Sequence, residues 1–194
     1  MAWNYFKNKG IVTGGNYEDI GKGNSCVPYT IQSCAHHVTD PTLPSCDKTP
    51  SGKAGSCPTA CSEKGYQTPY ASDIHKADTA YSLSSVASIQ NDIMTYGSVS
   101  AAFTVYEDFV AYKSGVYSHT TGSALGGHAV KIIGWGVENN TPYWLIMNSW
   151  NAGWGDKGSF KIKRGSDECG IESMGVNGGH VSAPKVANIF RGFN

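Results

Sequence analysis

The sequence is short of charge. Asp, Glu, Lys and Arg make up only 15% of its 194 residues, and 15 basic side chains balance 15 acidic ones. A net charge of zero offers no basic footprint for nucleic acid, and no run of like charges forms an interaction tail. No stretch reaches the roughly 18 apolar residues of a transmembrane helix, so no membrane span is expected. The opening MAWNYFKNKG lacks the basic start and the apolar core of about 7–15 residues that mark a secretory signal. Glycine is plentiful, at 24 residues with no three-residue period, which argues for turns and against collagen. Apolar residues at 40% suffice for a packed core and exceed what a disordered chain carries.

Two stretches differ in texture. Residues 13–72 are rich in Gly, Pro, Ser and Thr, and hold Cys26, Cys34, Cys46, Cys57 and Cys61. Such a segment buries too little apolar surface to hold itself, so cross-links are the obvious means. Residues 80–180 read as ordinary folded protein. Residues 1–8 suit a short helix ended by Gly10. Val86, Ile89, Ile93 and Met94 predict a helix over Ser84–Tyr96, with Ser85 as N-cap and Gly97 as stop. Strands are predicted at Val99–Tyr106, His128–Trp135, Tyr143–Asn148 and Gly158–Arg164. Asn139, Asn140 and Pro142 mark the second and third of these as a hairpin.

His128 follows Gly126 and Gly127, which give the backbone freedom and leave room for a close approach. Asn148 ends the next predicted strand. If the two strands pair, the imidazole and the amide meet at the open end of the hairpin. An amide oxygen that accepts from one ring nitrogen fixes the tautomer and frees the other nitrogen to take a proton. A lone histidine there is more often structural.

The pattern is not lone. The runs GGHAVKIIGWG, PYWLIMNSW and GWGDKGSFKIKRG resemble the papain-like cysteine peptidases. Cys34-Ala-His-His before Cys46, Tyr112–Tyr117 (YKSGVY) and Cys169–Ser173 (CGIES) resemble the cathepsin B branch of that family. The likeness runs from Trp3 to about Gly179. It implies an α+β fold. Residues 1–79 would be a remnant of the left domain, with an occluding loop within about residues 26–61. Residues 80–180 would form an antiparallel, β-barrel-like right domain, and residues 181–194 a tail. The central helix that carries the nucleophile is absent from this pattern.

By the same resemblance His128 is the general base and Asn148 its orienter, with Trp150 covering the pair. Val105 and Leu125 would line the primed side. Gly127, Ala102, Ala129 and Met174 would line substrate, the last three at the second-residue pocket. Cathepsin B carries a carboxylate at the position matching Met174, so an apolar preference is expected here. The resemblance selects disulfides Cys26–Cys61 and Cys34–Cys46 from the 15 pairings that six cysteines allow. The second closes a loop worth about 3 kcal/mol in the chain-entropy model. Cys57 and Cys169 would be unpaired. His36 and His37 have two readings. As neighbours of cysteines they are candidate zinc ligands, but consecutive histidines point apart and lack paired spacing. As loop histidines they would hold the C-terminal carboxylate of a substrate. No metal or cofactor is called for.

The chain also departs from that pattern. Leu43 and Gly153 stand where cathepsin B pairs an arginine with an aspartate, and Ala35 stands where it has glutamate. A looser loop and a shift toward endopeptidase action are expected. No Gln precedes residue 32, and no C-G-S-C-W-like segment supplies a thiolate. The chain alone is therefore expected to be inactive. The alternative is a truncated, non-catalytic paralogue acting as a binding or decoy module or without function. The implied partners are peptide or protein substrates and cystatin-like inhibitors. The disulfides imply an oxidising route, lysosomal or extracellular.

Overall fold

The computed structural model describes residues 2–49, 52 and 56–181. Helix α1 spans Ala2–Asn8, and Gly10 beyond it takes the left-handed φ of 86° that favours glycine. Among the described residues from 11 to 75, the helical elements are short 3-10 turns at Tyr17–Asp19, Cys46–Lys48 and Tyr70–Ser72. Polar contacts take the place of a core in this segment. The buried Asp73 accepts from Thr13 Oγ1 at 2.7 Å, Thr13 N at 2.8 Å and Tyr66 OH at 2.6 Å. Glu63 gathers the amides of Gly21 and Gly23. Ile11 and His75 exchange backbone bonds, tying the two ends of the segment together. Disulfides join Cys26 to Cys61 and Cys34 to Cys46, and Cys57 and Cys169 are free.

Strand β1 is Tyr81–Leu83, followed by helix α2, Val86–Tyr96. Ser85 caps α2 by accepting from Ser88 N, and Gly97 ends it at φ 101°. Ile89 is fully buried, with Val86 and Ile93 beside it. Met94, read as part of that apolar face, is instead 77% exposed. At 100° per residue it sits next to Ile93, too far round the helix to reach the core.

The remaining elements are β2 (Val99–Tyr106), α3 (Glu107–Val110), β3 (Val116–Tyr117), β4 (Ala124–Glu138), β5 (Thr141–Met147), β6 (Ser159–Lys163) and β7 (Val176–Gly178). They form one sheet in the order β1-β7-β2-β4-β5-β6-β3, antiparallel except for the β3–β6 pair. The expected barrel-like closure is not reached, because β1 and β3 remain as separate edges. The expected hairpin is longer than the sequence suggested. Val137 and Pro142 pair within it, and Asn139 and Asn140 alone turn the chain, both at positive φ. That is the conformation two-residue hairpin loops require, and asparagine tolerates it better than most residues.

β2 alternates buried and half-buried residues along its whole length. Its inward side chains meet a dense aromatic group. Phe109 lies 5.0 Å from Phe103, 4.8 Å from Phe160 and 5.0 Å from Trp154, all fully buried. Each such pair contributes about 0.5–1.5 kcal/mol beyond its buried area. This cluster is the floor under the site described next. No helix among the described residues is long and apolar enough to cross a membrane.

Candidate active site

Two neighbouring strands carry His128 to Asn148. The β4–β5 register pairs Lys131 with Met147, so Asn148, the residue after β5, lies level with the stretch of β4 that holds His128. His128 Nε2 is 2.8 Å from Asn148 Oδ1. Ser149 N also donates to that oxygen at 2.8 Å, so two donors converge on one acceptor. An amide oxygen only accepts, so Nε2 carries the proton and Nδ1 keeps its lone pair. A half-buried imidazole with a free Nδ1 can take a proton from a group placed on its open side. Trp150 packs 5.4 Å from the His128 ring and rests on Trp154 at 4.7 Å and Phe109 at 5.5 Å. Trp154 is fixed in turn by its indole N–H on Val110 O. The indole shields the His–Asn bond from water, which would compete for it.

The strand alternation sorts the expected substrate-lining residues into two groups. His128 pairs with Phe103 and shares the core-side face of the sheet with Val105. Ala102 pairs with Ala129, and Thr104 with Gly127, on the opposite face. Met174 joins that second group, its sulfur 3.4 Å from Thr104 Oγ1. Leu125 is the extra residue where the β2–β4 register shifts, and is 56% exposed. Val105 is only 7% exposed and belongs mainly to the core, so little of it is offered to a ligand. The loop leading into β4 is held by Asp108, which accepts from Tyr117 OH, His119 Nδ1 and Thr120 N.

The cysteine-bounded loop sits against the same indole. His36 and His37 lie 5.3 and 4.5 Å from Trp150, and 4.1 Å from each other. Burial lowers the pKa of both; His128 lowers that of His36 further, and His36 that of His37. Three imidazoles thus surround one tryptophan. Cys34, His36 and Cys46 cluster tightly enough to suggest a metal, but the two thiols are joined as a disulfide and have no thiolate to give.

Among the described residues, His128 makes no hydrogen bond to either free cysteine. Burial, with Glu168 beside it, pushes the Cys169 thiol up to about 12, and its Sγ faces Glu168 Oε1 at 3.5 Å. Cys57 lines a separate cavity of about 290 Å³ with Tyr5, Val27 and Tyr70.

One residue absent from the sequence reading is Asn151. Its Oδ1 accepts from Gly153 N at 3.0 Å, and its Nδ2 donates to His36 O at 2.7 Å. The Asn-x-Gly spacing is an Asx-turn signal, but it gives no hint of the loop that the turn meets.

The chain as a whole is similar to known proteins. Residues 1–178 match the Papain family cysteine protease group, and the chain belongs to that family. It is 52% identical over 179 residues to a Cathepsin B-like cysteine proteinase of Schistosoma japonicum, covering 92% of this chain and 51% of that one. It is 50% identical to Cathepsin B-like cysteine proteinase 5 of Caenorhabditis elegans, with the same coverage. Among solved structures, proCathepsin B S9 from Trypanosoma congolense matches at TM-score 0.72 and 30% identity, over 94% of this chain and 52% of that one. The chain spans about half the length of the curated relatives it matches.

Proposed function

We propose that this chain supplies the acid–base half of a cathepsin B-like cysteine peptidase acting on peptides and proteins. The observation that carries this reading is the His128–Asn148 bond, which leaves Nδ1 as the base. In the reaction, Nδ1 takes the proton of a cysteine thiol. The thiolate adds to the peptide carbonyl, and the imidazolium returns the proton to the departing amine. Nδ1 then deprotonates the water that cleaves the thioester. The thiol must come from a cysteine other than Cys57 and Cys169, so the chain alone is inactive.

The half-exposed Met174 gives the second pocket an apolar lining and selects an apolar side chain before the cleaved bond. His36 and His37, packed against Trp150, receive the substrate's C-terminal carboxylate. That placement gives peptidyl-dipeptidase action alongside endopeptidase action. Cystatin-like inhibitors would enter the same cleft. The two disulfides support a lysosomal or extracellular setting. A second reading, a non-catalytic binding module, draws on the inert Cys169.

The test joins this chain to an upstream segment bearing a cysteine on a helix N-terminus and measures peptide cleavage. Cleavage that disappears in His128→Ala supports the peptidase. Cleavage that persists in His128→Ala, or none from any joined form, refutes it.

A further inference from the structure

Among the described residues, the loop from Cys34 to Cys46 is fastened to the body of the protein by neutral contacts. Asn151 Nδ2 donates to His36 O at 2.7 Å. The Val38 methyls lie over Gly153, where an added Cβ would meet them at 3.9 Å. The His36 and His37 rings rest on Trp150. The loop's carboxylate Asp40 bonds within the loop, to Thr42 N and Oγ1. The ion pairs Lys22–Asp19, His119–Asp108 and Lys161–Glu138 lie elsewhere.

Asn151 is also set in advance for this task. Its Oδ1 is held by Gly153 N, which fixes the amide plane with Nδ2 toward the loop. A donor ordered in this way loses little entropy when it binds. Asn151 follows Trp150 directly, so the backbone that places the indole over His128 also places the donor that holds His36.

We infer that Asn151 is the positioning residue of the loop: a neutral, salt-insensitive latch that sets His36 and His37 at the end of the cleft. Its consequence for cleavage rests on the peptidase reading above; the latch itself does not. Opening it frees the primed end of the cleft, so longer peptides pass through and fewer dipeptides are released from C-termini.

Asn151→Asp separates the latch from the turn. The carboxylate keeps the acceptor for Gly153 N and the side-chain size, and removes the donor to His36 O. Amide exchange across residues 34–46 is measured near pH 8, where the loop imidazoles are neutral. Loss of one hydrogen bond is expected to raise exchange about fivefold in both Asn151→Asp and Asn151→Ala. Protection in the wild-type chain should be unchanged between about 0.05 and 1 M salt. Wild-type exchange in Asn151→Asp, with or without an effect in Asn151→Ala, overturns the latch, because Asn151 then only shapes its own turn. Protection that falls with salt also overturns it. In the joined peptidase, Asn151→Asp should shift the ratio of internal cleavage to dipeptide release upward, and an unmoved ratio contradicts the positioning role. Exchange that behaves as expected in a form without any cleavage would instead count against the peptidase reading alone.

Discussion

Asn148→Ala isolates the bond on which the site depends. Two donors, His128 Nε2 and Ser149 N, meet at Asn148 Oδ1, both at 2.8 Å. Each neutral bond contributes about 1 kcal/mol net, so their loss costs about 2 kcal/mol. The same substitution removes Asn148 Nδ2, which is buried without a hydrogen-bond partner among the described residues. Relief of that group returns about 1–3 kcal/mol. The two effects offset, and the variant should fold with nearly unchanged stability. The tautomer should change. With the amide present, the proton on Nε2 is favoured by about 1 kcal/mol, a ratio of about five to one; without it the preference falls toward the intrinsic ratio. Nitrogen NMR of the His128 ring in its neutral form reads this directly. A wild-type ring protonated mainly on Nδ1, or a tautomer ratio indifferent to Asn148→Ala, would rule out Asn148 as the residue that sets the tautomer.

Further outcomes follow from the same geometry. Burial lowers the pKa of His36 and His37 in the folded protein, so each binds its proton less readily with the loop closed than with it open. Loop stability is then fully present above the free histidine value of about 6.5 and is lost as pH falls below it. Amide exchange over residues 34–46 should accelerate from pH 7.5 to about 5; exchange, corrected for its intrinsic pH dependence, that stays flat would contradict this. With its thiol raised to about 12, Cys169 should resist alkylation at pH 8, where about one molecule in ten thousand is thiolate. Alkylation of Cys169 as fast as of the exposed Cys57 would exclude that burial. In a joined, active form, Met174→Glu should raise cleavage after a basic second residue about tenfold relative to an apolar one, read as a ratio of kcat/KM values. Phe109→Ala, at the centre of the aromatic floor, should cost about 3–5 kcal/mol in denaturant unfolding.

The meeting of His128 with Asn148 was more legible than the architecture around it. The strands at 99–106 and 159–163 and the capped α2 helix follow from local alternation, spacing and cap chemistry, and emerge close to their expected bounds. The short strands β1, β3 and β7 were missed. Two or three residues carry no readable period, and their partners lie far along the chain, as with Ser82 and Asn177. Met94 shows the limit of reading spacing alone, since one step round a helix separates the core from solvent. His128 and Asn148 were readable because each sits in a distinctive run of glycine or aromatic neighbours. Asn151 was not, because its role depends on a loop more than a hundred residues earlier, brought to it only by folding.

In the proposed function, His128 and Asn148 serve a thiolate that neither Cys57 nor Cys169 supplies. Intact-mass measurement after treatment with an epoxide probe of active-site thiols tests it most directly. No adduct is expected on the chain alone, and a single His128-dependent adduct is expected on the added cysteine once the chain is joined to a segment that bears one. An adduct on Cys57 or Cys169 of the isolated chain, abolished by His128→Ala, would contradict it.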